Sequence, residues 1–122
     1  MTPLLVFDRD SGALLMSLGS PGGAMIIHYT AKTLWAVLHQ GLSAQQAADA
    51  PNFGNLGGPV VLEAQRFAPE VVQYLRQGGA DVREQALTSG VQVLRRVRVD
   101  GMPLWQGGSD PRREGVVMGP PP

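Results

Sequence analysis

The residues with the greatest chemical reach are Gly19-Ser20-Pro21-Gly22-Gly23. They lie between an apolar run and a helical pattern, so the turn presents the first free backbone N–H groups of a helix. The helix dipole favours negative charge at that point. Two adjacent glycines let a ligand approach the backbone closely. The chemistry that fits is binding of an anion, or stabilisation of an oxyanion, by the N–H groups of Gly22 and Gly23. The alternative is a strand-to-helix turn that uses glycine for its dihedral angles alone. No Gly-Lys-Ser/Thr follows, so this is not a Walker loop. The glycine spacing also departs from a dinucleotide fingerprint.

Other clusters carry less. Asp8-Arg9-Asp10-Ser11-Gly12 starts like a calcium loop, yet the twelfth position is Gly19, where a bidentate Glu is required. His28 and His39 stand eleven residues apart, about three helical turns, too far to share a metal, and they read as the polar edge of a packed helix. Neither a metal nor another cofactor is expected. Arg95, Arg96 and Arg98 alternate between the faces of a strand without aromatic partners on which bases could stack, so a solvated or interface face is expected. The run Gly107-Gly108-Ser109-Asp110-Pro111-Arg112-Arg113-Glu114-Gly115 is either an exposed loop or a loop pinned by an Asp110–Arg112 ion pair. No Ser, Thr or His falls in a triad layout and no carboxylate pair stands out.

The elements that must position these residues follow from periodicity and turn chemistry. Leu4–Phe7 and residues 13–18 are apolar on both faces, which fits two strands covered on both sides, joined by the Asp8–Gly12 turn. Residues 24–40 are helical. Ile27, Ala31, Leu34, Trp35 and Leu38 form the expected core stripe, and His28, Lys32, Ala36 and His39 a narrow polar or small face. Gly41 stops this helix. Ser43 opens a shorter one with Gln46 as its capping-box partner, and Pro51 ends it near Ala50. Residues 51–59 read as an ordered loop and Val60–Glu63 as a short strand. A third helix opens at Pro69 with Val71, Val72 and Leu75 inward, and Gly78-Gly79 closes it. Residues 81–86 and 91–99 alternate as strands. Asp100-Gly101 then turns a hairpin into Met102-Pro103-Leu104-Trp105, an edge strand because Pro103 cannot donate to a ladder. This order predicts an α+β domain with a largely antiparallel sheet and flanking helices over residues 1–117, followed by a flexible tail at 118–122.

Composition bounds the function. The chain has 122 residues, one domain's worth, with 43% hydrophobic and 16% charged residues, against about 25% charged in a typical domain. Ten Lys+Arg balance ten Asp+Glu, so there is no basic field to hold a nucleic-acid backbone. Cysteine is absent, which removes disulfides, thiolate nucleophiles and Cys-ligated zinc. No apolar run is long enough for a membrane helix, and the N-terminus lacks a signal-peptide layout. Neither a nucleic-acid nor a membrane partner is expected.

Several of these segments together resemble a known family. Met1-Thr2-Pro3-Leu4-Leu5-Val6-Phe7, then Leu18-Gly19-Ser20-Pro21-Gly22-Gly23 with Ile26-Ile27, are similar to the C-terminal part of the small subunit of γ-glutamyltransferases (γ-glutamyltranspeptidases). Gly41 to Phe53, with its Ala50-Pro51 step, and Gly107 to Gly115, with Asp110-Pro111-Arg112, continue the resemblance in order over nearly the whole chain. The resemblance implies part of an αββα sandwich of the N-terminal-nucleophile hydrolase type. It implies that a threonine at the start of the small subunit attacks a γ-glutamyl amide, such as that of glutathione, with its own α-amine as base. The Ser-Pro-Gly-Gly turn then supplies the oxyanion hole, carried over to the backbone N–H groups of Gly22 and Gly23, which also contact the substrate.

The chain departs from the family pattern in ways that bear on activity. The family's nucleophilic Thr and its Ser-Ser pair precede the position that aligns with Met1, and Ala24 and Met25 stand where the family often has Ser and Arg. Thr2 aligns with a position of no catalytic role, and Pro3 hinders exposure of its amine. The expectation is a fragment, inactive by itself, whose partners are the remainder of the small subunit and the large subunit of the same precursor. Self-association of the isolated chain is expected. A non-catalytic module that binds an anion or a glutamyl group, or that serves in assembly, is the alternative. The family is often periplasmic or secreted, and the sequence leaves the compartment open.

Overall fold

The computed structural model describes residues 1–119; Pro120–Pro122, part of the expected tail, lie outside the described residues. β1 (Leu4–Phe7) and β2 (Leu14–Gly19) form the expected hairpin. Its turn is set by Asp8, whose Oδ1 accepts from the Ser11 N–H at 2.8 Å and the Ser11 hydroxyl at 2.6 Å. β6 (Gln92–Val99) and β7 (Met102–Ser109) form a second hairpin. Asp100 and Gly101 turn it with φ of 50° and 79°, as a two-residue primed turn requires. The four strands make an antiparallel sheet in the order β1-β2-β6-β7.

β7 runs through Gly107, Gly108 and Ser109, where the glycines had suggested a loop. Their reason is close approach. A Cβ on Gly108 would collide with the backbone of Ala44, the first residue of the helix that lies on the sheet. Arg95 turns inward from β6 rather than to solvent. Its Nε donates to Gln106 Oε1 and its Nη1 to the Leu42 carbonyl at 3.0 Å.

The helices begin with a single 3-10 turn at Gly23–Met25, so α1 is shorter than expected, at Ile26–Leu38. Its buried face is Tyr29, Thr30, Lys32, Thr33, Ala36 and Val37. Of the stripe expected inside, Ile27, Trp35 and Leu38 are 70%, 57% and 52% exposed. The helix is apolar on several sides, so hydrophobicity could not choose its face. Threonine can line the core because Thr30 Oγ1 donates to the Ile26 carbonyl and Thr33 Oγ1 to the Tyr29 carbonyl, leaving no donor unpaired. α2 (Ala44–Asp49) has the full capping box, with Ser43 Oγ accepting from the Gln46 N–H and Gln46 Oε1 from the Ser43 N–H. Its Ala44, Ala47 and Ala48 share a core with Met16, Leu18 and Val93 of the sheet's inner face, with Tyr29, Ala36, Val37, Leu87 and Val91 closing it.

The expected loop at 51–59 contains a further strand, β3 (Phe53–Asn55), too short to show alternation. It pairs antiparallel with β4 (Val60–Glu63), which pairs parallel with β5 (Val82–Gln85) in a separate sheet of order β3-β4-β5. The parallel pair follows from α3 (Pro69–Gln77), which carries the chain across between β4 and β5. Val72 packs with Leu62 and Val82 in a second small core, whereas Val71, expected inward, is exposed.

The sheet's outer face is the other correction. Leu5, Leu94 and Trp105 share it by register and are 54%, 46% and 53% exposed, so this chain leaves that side of its first strands largely open, with only the segment around Val117 lying over Gly107. Among the described residues no helix is long and apolar enough to cross a membrane.

Candidate functional site

The turn from β2 into α1 holds two glycines in conformations that L side chains rarely adopt. Gly22 has φ 142° and Gly23 φ 59°. A Cβ on Gly22 would lie 2.5 Å from the Tyr29 ring, whereas one on Gly23 would meet nothing within 4 Å. Both carbonyls are used: Met25 N–H donates to Gly22 O at 3.2 Å and Ile26 N–H to Gly23 O. The N–H groups of Gly22 and Gly23 donate to nothing among the described residues. Gly23 is exposed and Gly22 half-buried. Two adjacent, solvent-accessible and unpaired N–H donors suit an anion or a developing oxyanion.

The turn is held from below. Ser20 is fully buried; its hydroxyl donates to the Pro21 carbonyl at 2.7 Å and accepts from the Gly90 N–H at 3.0 Å. Gly90 sits so close that a Cβ would lie 2.9 Å from Pro21 Cγ and 2.8 Å from Arg113 Cδ. The segment around Gly90 is fixed in turn by Asp110. Its Oδ2 accepts from the Ser89 hydroxyl and from the Val91 N–H at 3.1 Å, while the Asp110 N–H donates to the Val91 carbonyl at 2.9 Å. Arg113 adds Nε and Nη2 bonds to the Thr88 carbonyl.

Arg112 ties this segment to the second sheet. Its Nη1 meets Asp110 Oδ1 at 3.0 Å, and its Nε and Nη2 grip Glu63 bidentately at 2.6 Å and 2.7 Å. It also donates to the carbonyls of Ala48, Asp49 and Ala50 at the end of α2. A cation at a helix C-terminus complements the helix dipole. Glu63 Oε2 accepts from the Asn52 N–H at 2.8 Å, and Asn52 Nδ2 donates to Ser89 Oγ at 2.8 Å, which closes the circuit.

Burial would raise the Asp110 carboxyl, but the Ser89 hydroxyl, the Arg112 and Val91 N–H groups and the guanidinium outweigh it and hold it below the usual range. Glu63 is likewise held low, burial being overcome by Arg112 and the Asn52 N–H. Those carboxylates keep the Arg112 guanidinium above its ordinary value against the burial that would lower it. Lys32 behaves differently. Burial, aided by Arg112, lowers its ammonium to about 8, and its Nζ donates to the Ala50 carbonyl at 2.8 Å.

The native pKa of Lys32 is below the unfolded one, so the unfolded chain binds the extra proton between pH 8 and the ordinary lysine value. Stability must therefore rise with pH across that window. Urea unfolding at pH 7.5 and 9.5 is expected to show a gain of more than 1 kcal/mol at the higher pH, absent in Lys32→Met. Equal stabilities in the unsubstituted chain would show that Lys32 is not held low.

Gly22 and Gly23, consecutive in the chain, share the turn at positive φ, and the structure forms the Asp110–Arg112 pair. That pair is buried, not part of an exposed loop. His28 and His39 go separate ways: the His28 ring lies against Gly54, and His39 stacks on Trp35 at 4.1 Å. Glu63, Asn52 and Ser89 were not singled out from the sequence. The available signals were Glu63 ending a Val-Val-Leu run and Asn52 following the Ala-Pro step.

Comparisons with known proteins agree in one direction. The sequence model of a family described as gamma-glutamyltranspeptidase matches residues 1–120. The chain is 28% identical over 128 aligned residues to the glutathione hydrolase proenzyme of Pseudomonas sp. (strain A14), covering 98% of this chain and 22% of that relative. A highly active mutant of γ-glutamyltranspeptidase from Pseudomonas nitroreducens superimposes with a TM-score of 0.82 at 25% identity, covering all of this chain and 62% of that one. A mutant of the Helicobacter pylori γ-glutamyltranspeptidase gives a TM-score of 0.83 at 22% identity, over 93% of this chain and 61% of that one. The chain thus spans about a fifth of the curated relative and three-fifths of these solved chains.

Proposed function

Because this chain belongs to the γ-glutamyltranspeptidase family, we propose that it supplies the oxyanion-hole turn of a γ-glutamyl transfer site whose nucleophile lies outside these 122 residues. Its fold is part of the αββα sandwich of N-terminal-nucleophile hydrolases: a four-stranded antiparallel sheet with helices on one face, beside a separate three-stranded mixed sheet.

In the assembled enzyme a threonine hydroxyl adds to the carbonyl carbon of a γ-glutamyl amide, such as that of glutathione, and its proton passes to the threonine's own amine. The carbonyl oxygen becomes an oxyanion held by the N–H groups of Gly22 and Gly23. Collapse of the intermediate breaks the C–N bond, and the leaving amine takes the proton. Water or an acceptor amine then attacks the resulting ester. The observation that carries this reading is the pair of unpaired N–H donors on two glycines fixed from below by Ser20 and Gly90.

The remainder of the small subunit and the large subunit complete the site. The exposed apolar face of Leu5, Leu94 and Trp105 supports such assembly, and in the isolated chain it favours self-association.

The test uses release of anilide from a chromogenic γ-glutamyl anilide. The isolated chain is expected to release none. A chimaeric precursor, in which residues 1–117 replace the matching segment of the Pseudomonas sp. relative, is expected to turn over. Turnover by the isolated chain would overturn the claim that the nucleophile lies elsewhere. A folded, self-cleaved chimaera without turnover would favour a non-catalytic binding or assembly module.

A further inference from the structure

Beside α1, a half-enclosed pocket of about 480 Å³ opens between the helix and the chain leading into β3. Its walls include Trp35, Phe53, Phe67 and Pro51. Phe53 and Phe67 meet edge to face at 6.3 Å, while Trp35 and Phe53 remain about half exposed. The volume suits a small organic molecule, and such sites combine apolar walls with a few convergent polar groups. Here Lys32 and Ala50 line the same pocket, and Lys32 is only 7% exposed.

The charge at this wall is not balanced. Among the described residues no carboxylate lies within 4.0 Å of the Lys32 Nζ. The charges that act on it are Arg112 and Arg66 against Asp110 and Glu63, and both of those carboxylates are already bound to Arg112. Three cations thus face two anions. The Lys32 ammonium spends one of its three donors, on Ala50 O, a carbonyl it shares with Arg112 Nη2. A buried cation without an anionic partner is costly, and an incoming carboxylate removes that cost.

We propose that this pocket binds a small amphipathic monocarboxylate, its aryl or alkyl body between Trp35, Phe53 and Phe67 and its carboxylate on the Lys32 ammonium. The site lies wholly within this chain and does not depend on the oxyanion-hole reading.

The probes are 3-phenylpropionate and its neutral analogue 3-phenylpropanol, titrated calorimetrically into the full chain at pH 7. The acid is expected to bind roughly tenfold tighter than the alcohol, about 1.4 kcal/mol. In Lys32→Met the preference is expected to vanish while the alcohol binds as before, which also reports that the pocket has stayed intact. A pH series on the unsubstituted chain gives the same answer without a variant. The acid's affinity declines above pH 8, as Lys32 loses its proton, while the alcohol's stays level. The other charged and titratable groups that face Lys32 are Arg66, Arg112, Glu63 and Asp110, with His28 also on the pocket wall. Glu63 and Asp110 are held below the usual carboxylate range and Arg112 above its ordinary value, so these three keep their charge across that range. Equal affinities for acid and alcohol, no saturable binding of either, a preference that survives Lys32→Met, or an acid affinity that stays level above pH 8 would each overturn the proposal.

Discussion

Arg112→Met is expected to lower the melting temperature by roughly 10–20 °C, the largest stability loss of any single side chain here. The cause is what remains behind. Glu63 and Asp110 are 8% and 1% exposed, and without the guanidinium two buried carboxylates lose their cation. Three carbonyls at the end of α2 also lose a donor. Removing one member of a buried pair costs about 3–5 kcal/mol, and in a domain of this size each kcal/mol shifts the midpoint by about 3–5 °C. Arg112→Lys is expected to recover only a minor part. An ammonium cannot grip Glu63 bidentately and reach Asp110 and the helix end together. Thermal unfolding followed by circular dichroism decides the matter. A midpoint for Arg112→Met within 3 °C of the parent would mean that the network adds nothing to stability.

The second large effect separates two neighbouring glycines. In the active chimaera, Gly22→Ala is expected to lower kcat by about a hundredfold or more, the usual cost of losing one oxyanion donor. At φ 142° an alanine is strained, and its methyl group would lie 2.5 Å from the ring of Tyr29, itself 3% exposed. The turn must move, and its N–H groups with it. Gly23→Ala has open space around the new methyl and a left-handed φ of 59°. It should cost about 1–2 kcal/mol of stability and leave kcat within a few-fold. Steady-state rates with the γ-glutamyl anilide, on variants shown to be folded, distinguish the two. If Gly22→Ala works within tenfold of the parent, the turn is not the oxyanion hole. Equal losses in both variants would point to general disruption of the loop instead.

Much of the local structure could be read directly. The capping box of Ser43 and Gln46, the Asp100-Gly101 turn, Pro69 at a helix start and Gly79 at φ 88° past its end are interactions within about four residues, so local chemistry decides them. The Gly22-Gly23 turn belongs to the same class. The face of α1 did not, because Ile27, Leu34 and Trp35 on one side and Tyr29, Ala36 and Val37 on the other compete equally for the core. Tertiary packing chose the face with Tyr29, Ala36 and Val37, with Leu34 at its margin.

The sequence by itself therefore determined the family, the order of most elements and the two glycines of the candidate site. Only the tertiary structure decided what holds those glycines in place. Arg112 meets Glu63 across 49 residues, and Gly90 meets Ser20 across 70. No periodicity records such a pairing. A buried charge takes whichever opposite charge the closed chain brings to it, and that choice exists only once the two sheets and α2 have packed together.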